Sequence, residues 1–121
     1  LYTQREMNQI RDLVKKYDLF LFSDEVYREF IYDDEPMGTF CEMEDIKDHV
    51  IVVDSISKRF SACGARIGSI ISRNRKFMAE AMKLCQGRLC TATLDQAGAA
   101  AMYEPTSRRS GTSTRSGGTL W

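Results

Sequence analysis

The chain has 121 residues, 43% apolar and 28% charged, which suits one soluble globular domain with a modest core. Its 17 basic and 17 acidic residues cancel, so no basic field argues for nucleic acid and no acidic field for a cationic partner. No stretch approaches the roughly 18 apolar residues of a membrane span. The opening LYTQREMNQI does not read as a basic-then-apolar signal, although a leader ahead of it stays open because the chain does not begin with Met.

In chain order, Thr3 and Glu6 form a capping box, and Met7, Ile10, Val14 and Tyr17 recur at helical spacing. The spacing predicts an amphipathic helix ending near Tyr17 or Asp18, with Arg5, Asp12 and Lys15 on its outer face. Leu19 to Phe22 (LFLF) read as a strand buried on both faces, which suits a parallel sheet. Residues 33 to 45 read as a loop broken by Pro36 and Gly38. Val50 to Val53 form a second strand and Ile67 to Ile71 a third. The connection SISKRFSACGA between them is near the minimum for a parallel crossover and has no helical period, so an antiparallel return is expected. Helices follow at about 73 to 85, carrying Phe77, Ala81 and Leu84, and at 92 to 103.

The last seventeen residues, PTSRRSGTSTRSGGTLW, contain three arginines and no acid, and read as disordered. Without them, residues 1 to 104 carry 14 basic and 17 acidic residues, a net charge of −3. Cys41, Cys63, Cys85 and Cys90 form no C-x-x-C pair and lie far in sequence from His49, the only histidine. They read as buried or half-buried thiols in a reducing cytosol, with no metal site.

In open α/β sheets, ligands bind beyond the carboxyl ends of the strands. The first strand exits into Ser23-Asp24-Glu25-Val26-Tyr27 and the second into Asp54-Ser55-Ile56-Ser57-Lys58. If the two strands are neighbours, a carboxylate, a phenol, two hydroxyls and an amine meet on one rim; singly, each of these residues is an ordinary strand terminator. Lys58, near Arg59 and Arg66, is the candidate nucleophilic amine. Ser55, Ser57, Arg66 and the amides near Gly64 are candidates for holding a phosphate.

These residues carry a resemblance. SDEVYREFIYD followed by DSISKRFSACGARIGSI resembles the fold-type I pyridoxal-phosphate-dependent aminotransferases of class I/II, the aspartate aminotransferase-like group. The family pattern of Asp-x-x-Tyr, Ser-x-Ser-Lys and an Arg eight residues after the lysine is met by Asp24, Tyr27, Ser55, Ser57, Lys58 and Arg66, with Gly64 and Gly68 flanking the arginine. The resemblance implies an α/β fold, part of a three-layer α/β/α large domain with a mostly parallel sheet and one antiparallel strand. It implies pyridoxal 5'-phosphate bound as an aldimine on Lys58. Asp24 would then pair with the pyridine nitrogen, Tyr27 would bond the phenolic oxygen, and Ser55, Ser57 and Arg66 would hold the phosphate.

It further implies a cytoplasmic enzyme exchanging an amino group between an amino acid and a 2-oxo acid, with a homodimeric full-length parent and neither nucleic acid nor membrane as partner. Other chemistry on the same lysine (β-lyase, decarboxylase), a non-catalytic binding domain of a transcription regulator, and an inactive truncated fragment are the alternatives. The family's asparagine, stacking aromatic, further phosphate ligands and small-domain arginine have no match here, so residues 1 to 104 are expected to be a partial large domain. Arg108, Arg109 and Arg115 have no matching context and take none of these roles. Such a piece is expected to aggregate or fold partly and to bind the cofactor weakly. Codons for the tail, read one base out of frame, can encode a family-like continuation, so a frameshift or truncated reading near Pro105 is expected.

Overall fold

The computed structural model describes residues 2–32 and 38–103. Helix α1 (Gln4–Tyr17) begins at its capping box: the Thr3 hydroxyl accepts from the Glu6 amide at 3.3 Å, and the Glu6 carboxylate accepts from the Thr3 amide at 2.7 Å. It ends at Asp18, whose left-handed backbone (φ 52°) turns the Leu19 amide back to the Val14 carbonyl at 3.1 Å. Met7 and Val14 are buried and Ile10 is partly so. Tyr17 departs from the expected face: it is exposed, and Lys16 Nζ lies 5.0 Å from its ring centroid.

Strand β1 (Leu21–Asp24) pairs in parallel with β2 (Val50–Ser55), from Leu21 opposite Val50 to Asp24 opposite Val53. The single helical turn α2 (Ile56–Arg59) follows β2, and β3 (Gly68–Ser72) returns antiparallel on β2's other side, as the short connection predicts. The sheet order is β1-β2-β3. Because side chains alternate along a strand, Val50 and Val52 point to α1 and join Met7, Val14, Phe40 and Ile46 in the core. Val53 and Ile70 point the other way and line one cavity with Met78 and Ala81 of helix α3 (Arg75–Arg88), on the side where Phe22 also meets Phe77 edge-on at 6.4 Å. A helix thus lies on each face of the mixed sheet. Helix α4 (Thr93–Tyr103) docks through buried Ala99 and through Tyr103, whose ring meets Phe60 at 5.0 Å.

Three expectations need correction. The LFLF run is not buried on both faces: Phe20 and Phe22 are 59% and 63% exposed, because among the described residues β1 has a strand on one side only. The described part of the 33–45 loop is not structureless, since 3-10 turns at Phe40–Glu42 and Glu44–Ile46 bury Phe40 and Ile46. Two anchors six residues apart leave no periodic signal to read. Cys63, Cys85 and Cys90 are exposed, and only Cys41 is half-buried, because only Cys41 lies against the α1 core. Pro36 and the tail from residue 105 lie outside the described residues.

Acid should weaken this fold through three carboxylates. Donors from the Thr3 backbone and side chain hold Glu6 below the usual carboxylate range, Arg73 and Lys47 do so for Glu44, and Lys15 does so for Asp45. A carboxylate with a lower pKa folded than unfolded contributes stability that is complete above its unfolded value and is lost as pH falls through its folded value. The urea midpoint should therefore be level above about pH 5.5 and decline below about pH 4.5, with a shallower decline in Glu6→Gln. A midpoint unchanged down to about pH 3 would contradict this origin of acid sensitivity.

Candidate functional site

Since β1 and β2 run in the same direction, both leave the sheet at one edge. Beyond β1, the Glu25 amide donates to the Val53 carbonyl at 2.9 Å, extending the ladder by one bond. Glu25 itself turns inward and is 4% exposed. Its carboxylate accepts from Thr39 Oγ1 at 2.7 Å, from Ser23 Oγ at 3.2 Å and from the Arg28 guanidinium. Burial pushes the neighbouring Cys41 thiol pKa up, and the Glu25 charge adds to the rise. With Glu25 fixed inside, Asp24 and Tyr27 are left facing outward, and Asp24 Oδ1 accepts from the Val26 amide at 3.2 Å.

Beyond β2, Ser55 has extended backbone (φ −154°, ψ 146°) and caps α2, its Oγ accepting from the Ser57 amide at 3.1 Å. The same hydroxyl donates to the Ile67 carbonyl at 3.0 Å, and the Ser57 hydroxyl lies 2.8 Å from it. Lys58 sits exposed on α2, with Nζ 5.9 Å from the Tyr27 ring centroid, at the outer reach of a cation–π contact. Arg66 ends the 3-10 turn Cys63–Ala65 in the left-handed region (φ 55°, ψ 39°) and donates from Nη1 to the Cys63 carbonyl at 3.0 Å.

The fold therefore brings Lys58 to Tyr27, Ser55 to Ser57, and Ser55 to the residue after Arg66. It does not join the Arg66 guanidinium to either serine by a hydrogen bond, nor Asp24 to Lys58. Gly68 allows the close approach of β3: a Cβ there would meet the Asp54 carbonyl oxygen at 3.2 Å, whereas one at Gly64 would meet nothing within 4 Å. A cavity of about 460 Å³ has Asp24 and Tyr27 in its wall together with Glu25, Arg28 and Phe40. Lys58, the serines and Arg66 do not line it, so it forms one flank of the rim. Among the described residues, no group of three or more His, Cys, Asp or Glu side chains could hold a metal ion.

Two residues here were not singled out from the sequence. Glu25 looks like one more polar residue at a strand exit, although a basic residue three positions on, Arg28, is a weak sign of pairing. Arg59 reads as a neighbouring charge but packs at 16% exposure against three other segments. Chemically, the rim offers an amine, a phenol, a carboxylate, two hydroxyls and a guanidinium: a nucleophile, a counter-ion and donors suited to an anion.

The profile of the family described as "Aminotransferase class I and II" matches residues 1–116. The chain belongs to that family. An aspartate aminotransferase from Sulfurisphaera tokodaii is 31% identical over 99 residues, covering 82% of this chain and 25% of its own length. An aromatic aminotransferase from Pyrococcus horikoshii superposes with a TM-score of 0.75 at 28% identity, over 88% of this chain and 29% of that one. Cystalysin from Treponema denticola, whose structure contains pyridoxal 5'-phosphate, superposes with a TM-score of 0.72 at 26% identity, over 78% of this chain and 25% of that one. The chain spans a quarter or less of the curated relatives it matches. Its sheet and helices correspond to part of the α/β/α large domain of fold-type I enzymes.

Arg66 carries a test of its own. A left-handed non-glycine residue costs about 1–2 kcal/mol, and the extra chain entropy of a glycine costs about 0.5–1 kcal/mol. Arg66→Gly should therefore leave unfolding stability unchanged or raise it by up to about 1.5 kcal/mol in urea titration. A loss greater than about 1 kcal/mol would mean the arginine side chain is needed by the fold rather than retained for a ligand.

Proposed function

We propose that this chain is the cofactor-binding part, residues 1–104, of a pyridoxal-phosphate-dependent aminotransferase that exchanges an amino group between an amino acid and a 2-oxo acid. The observation carrying this reading is the single rim on which Lys58 lies beside Tyr27, with Asp24 at the end of the adjacent parallel strand and Ser55 and Ser57 below. Family membership supports pyridoxal 5'-phosphate as the cofactor, and the donor set fits it. Lys58 supplies an amine for its aldehyde, Asp24 a carboxylate for its ring nitrogen, Tyr27 a phenol for its ring oxygen, and Ser55, Ser57 and Arg66 donors for its phosphate.

When bound, that group supplies an aldehyde for amine capture and a ring that draws electron density from the substrate Cα. The chain's own residues would do the rest. The Asp24 charge would favour a protonated ring nitrogen. Lys58 Nζ would be the group that takes up and returns the proton at the substrate Cα. Arg66 uses only Nη1 on the Cys63 carbonyl, a bond between exposed groups and so inexpensive to exchange, which would leave its guanidinium available to a phosphate. Family resemblance supports a homodimeric full-length protein working in the cytoplasm.

Borohydride reduction in the presence of pyridoxal phosphate, followed by peptide mass spectrometry, tests the reading. The expected result is stable label predominantly on Lys58 and lost in Lys58→Ala. Label spread evenly over exposed lysines, and unchanged by that substitution, would overturn it.

A further inference from the structure

Helix α2 is four residues long, a single turn, and a single turn does not hold its own shape in water. Something outside it must fix Lys58. The groups that do so converge on the next residue, Arg59, whose side chain is only 16% exposed. Arg59 Nη2 donates to Asp54 Oδ2 at 3.0 Å, while Asp54 Oδ1 accepts from the Ser55 amide at 2.7 Å. The Asp54 carboxylate and the Arg59 guanidinium therefore close a ring around Ser55, Ile56, Ser57 and Lys58. Arg59 Nε lies 3.4 Å from Glu29 Oε1, in the turn that carries Tyr27. Arg59 Nη1 donates to the Tyr103 hydroxyl at 3.1 Å, and the guanidinium carbon stands 5.6 Å from the Tyr103 ring centroid, on α4.

One planar cation thus spans the end of β2, the Tyr27 turn and α4. A lysine, with its single point of charge, cannot span all three. Arg59 Nε is buried and makes no hydrogen bond, the 3.4 Å approach to Glu29 being an ionic contact only. Burying an arginine with one donor unsatisfied costs stability, so an Arg at this position is better explained by placement than by fold energy.

We infer that Arg59 is a positioning residue for Lys58: it fixes the Lys58 turn against the Tyr27 turn and α4, and so sets where the amine stands on the rim. The inference rests on the proposed role of Lys58, but the hold on the turn can be measured without any cofactor. Arg59 touches neither Tyr27 nor the Lys58 amine in the described contacts, and acts through the backbone on either side of Lys58.

The test uses the full chain as wild type, Arg59→Lys and Arg59→Gln, with two readouts. The first is amide hydrogen exchange, without cofactor, at residues 56–60, with residues 50–53 of β2 as the internal reference. Both variants should exchange at least about tenfold faster at 56–60 with β2 unchanged. Equal acceleration in β2 would make Arg59 a general stabiliser and overturn the inference, as would no acceleration. The second readout is the share of borohydride-trapped pyridoxal phosphate found on Lys58. It should fall by at least about tenfold in both variants. An unchanged share, or full recovery in Arg59→Lys, would show that the three-way hold is not needed and would overturn the inference. If the wild type itself traps no cofactor selectively at Lys58, the proposed function fails instead, and local exchange at 56–60 alone decides whether Arg59 holds the turn.

Discussion

The parallel pairing of β1 with β2 is the constraint on which the rest of the structure depends. It sets Asp24 opposite Val53, so both strands release their polar exits at one edge. Had the pair been antiparallel, the exits would stand at opposite ends, separated by roughly 13 Å for a four-residue strand at about 3.3 Å per residue. No amine could then meet the phenol. β2 runs two residues beyond its last β1 partner, through Asp54 and Ser55, and this overhang is what pairs with Gly68 and Ser69 of β3. The serine pair, Lys58 and the Arg66 segment are thereby gathered at one corner.

The two faces of the sheet hold this arrangement unequally. On the α1 side, Met7, Val14, Phe40, Ile46, Val50 and Val52 form a closed cluster, and a fully buried aliphatic side chain contributes about 1.5–3 kcal/mol. On the α3 side, Ile51 is fully buried, but Ile70 and Met82 remain substantially exposed, as does Ile71 on the opposite face of β3. The pairing is therefore supported chiefly from beneath, and the rim turns rely on ionic groups. Glu25 fixes the turn after β1 through Thr39, Ser23 and Arg28, and Arg59 fixes the turn after β2 through Asp54, Glu29 and Tyr103. Buried ion pairs contribute little net stability, but they define geometry strongly, because breaking one leaves an uncompensated charge.

Much of this was legible in the residues. The capping box, the helical spacing of Met7 and Val14, the β-branched run of β2 and the brevity of the β2–β3 connection all rest on local rules, and local rules survive folding. The grouping of Lys58 with Tyr27 was legible only on the condition that β1 and β2 are neighbours, a long-range fact that their order in the chain suggests without requiring. What escaped was nonlocal. Phe22 is apolar yet exposed because exposure depends on what lies beside a strand. Glu25 and Arg59 are charged yet packed, and their partners Thr39 and Tyr103 lie 14 and 44 positions away. The left-handed backbone of Arg66 was equally hidden, since arginine carries no preference for that region.

On the proposed function, the rim built by parallel pairing holds one ligand between Lys58, Tyr27, Asp24 and the serine pair. A crystal structure of the chain with pyridoxal 5'-phosphate tests it most directly. The expected result is continuous density from the ligand to Lys58 Nζ, the Asp24 carboxylate at its ring nitrogen, and its phosphate on Ser55, Ser57 and Arg66. Ligand density on any other lysine, with Asp24 and Tyr27 facing solvent, would contradict it.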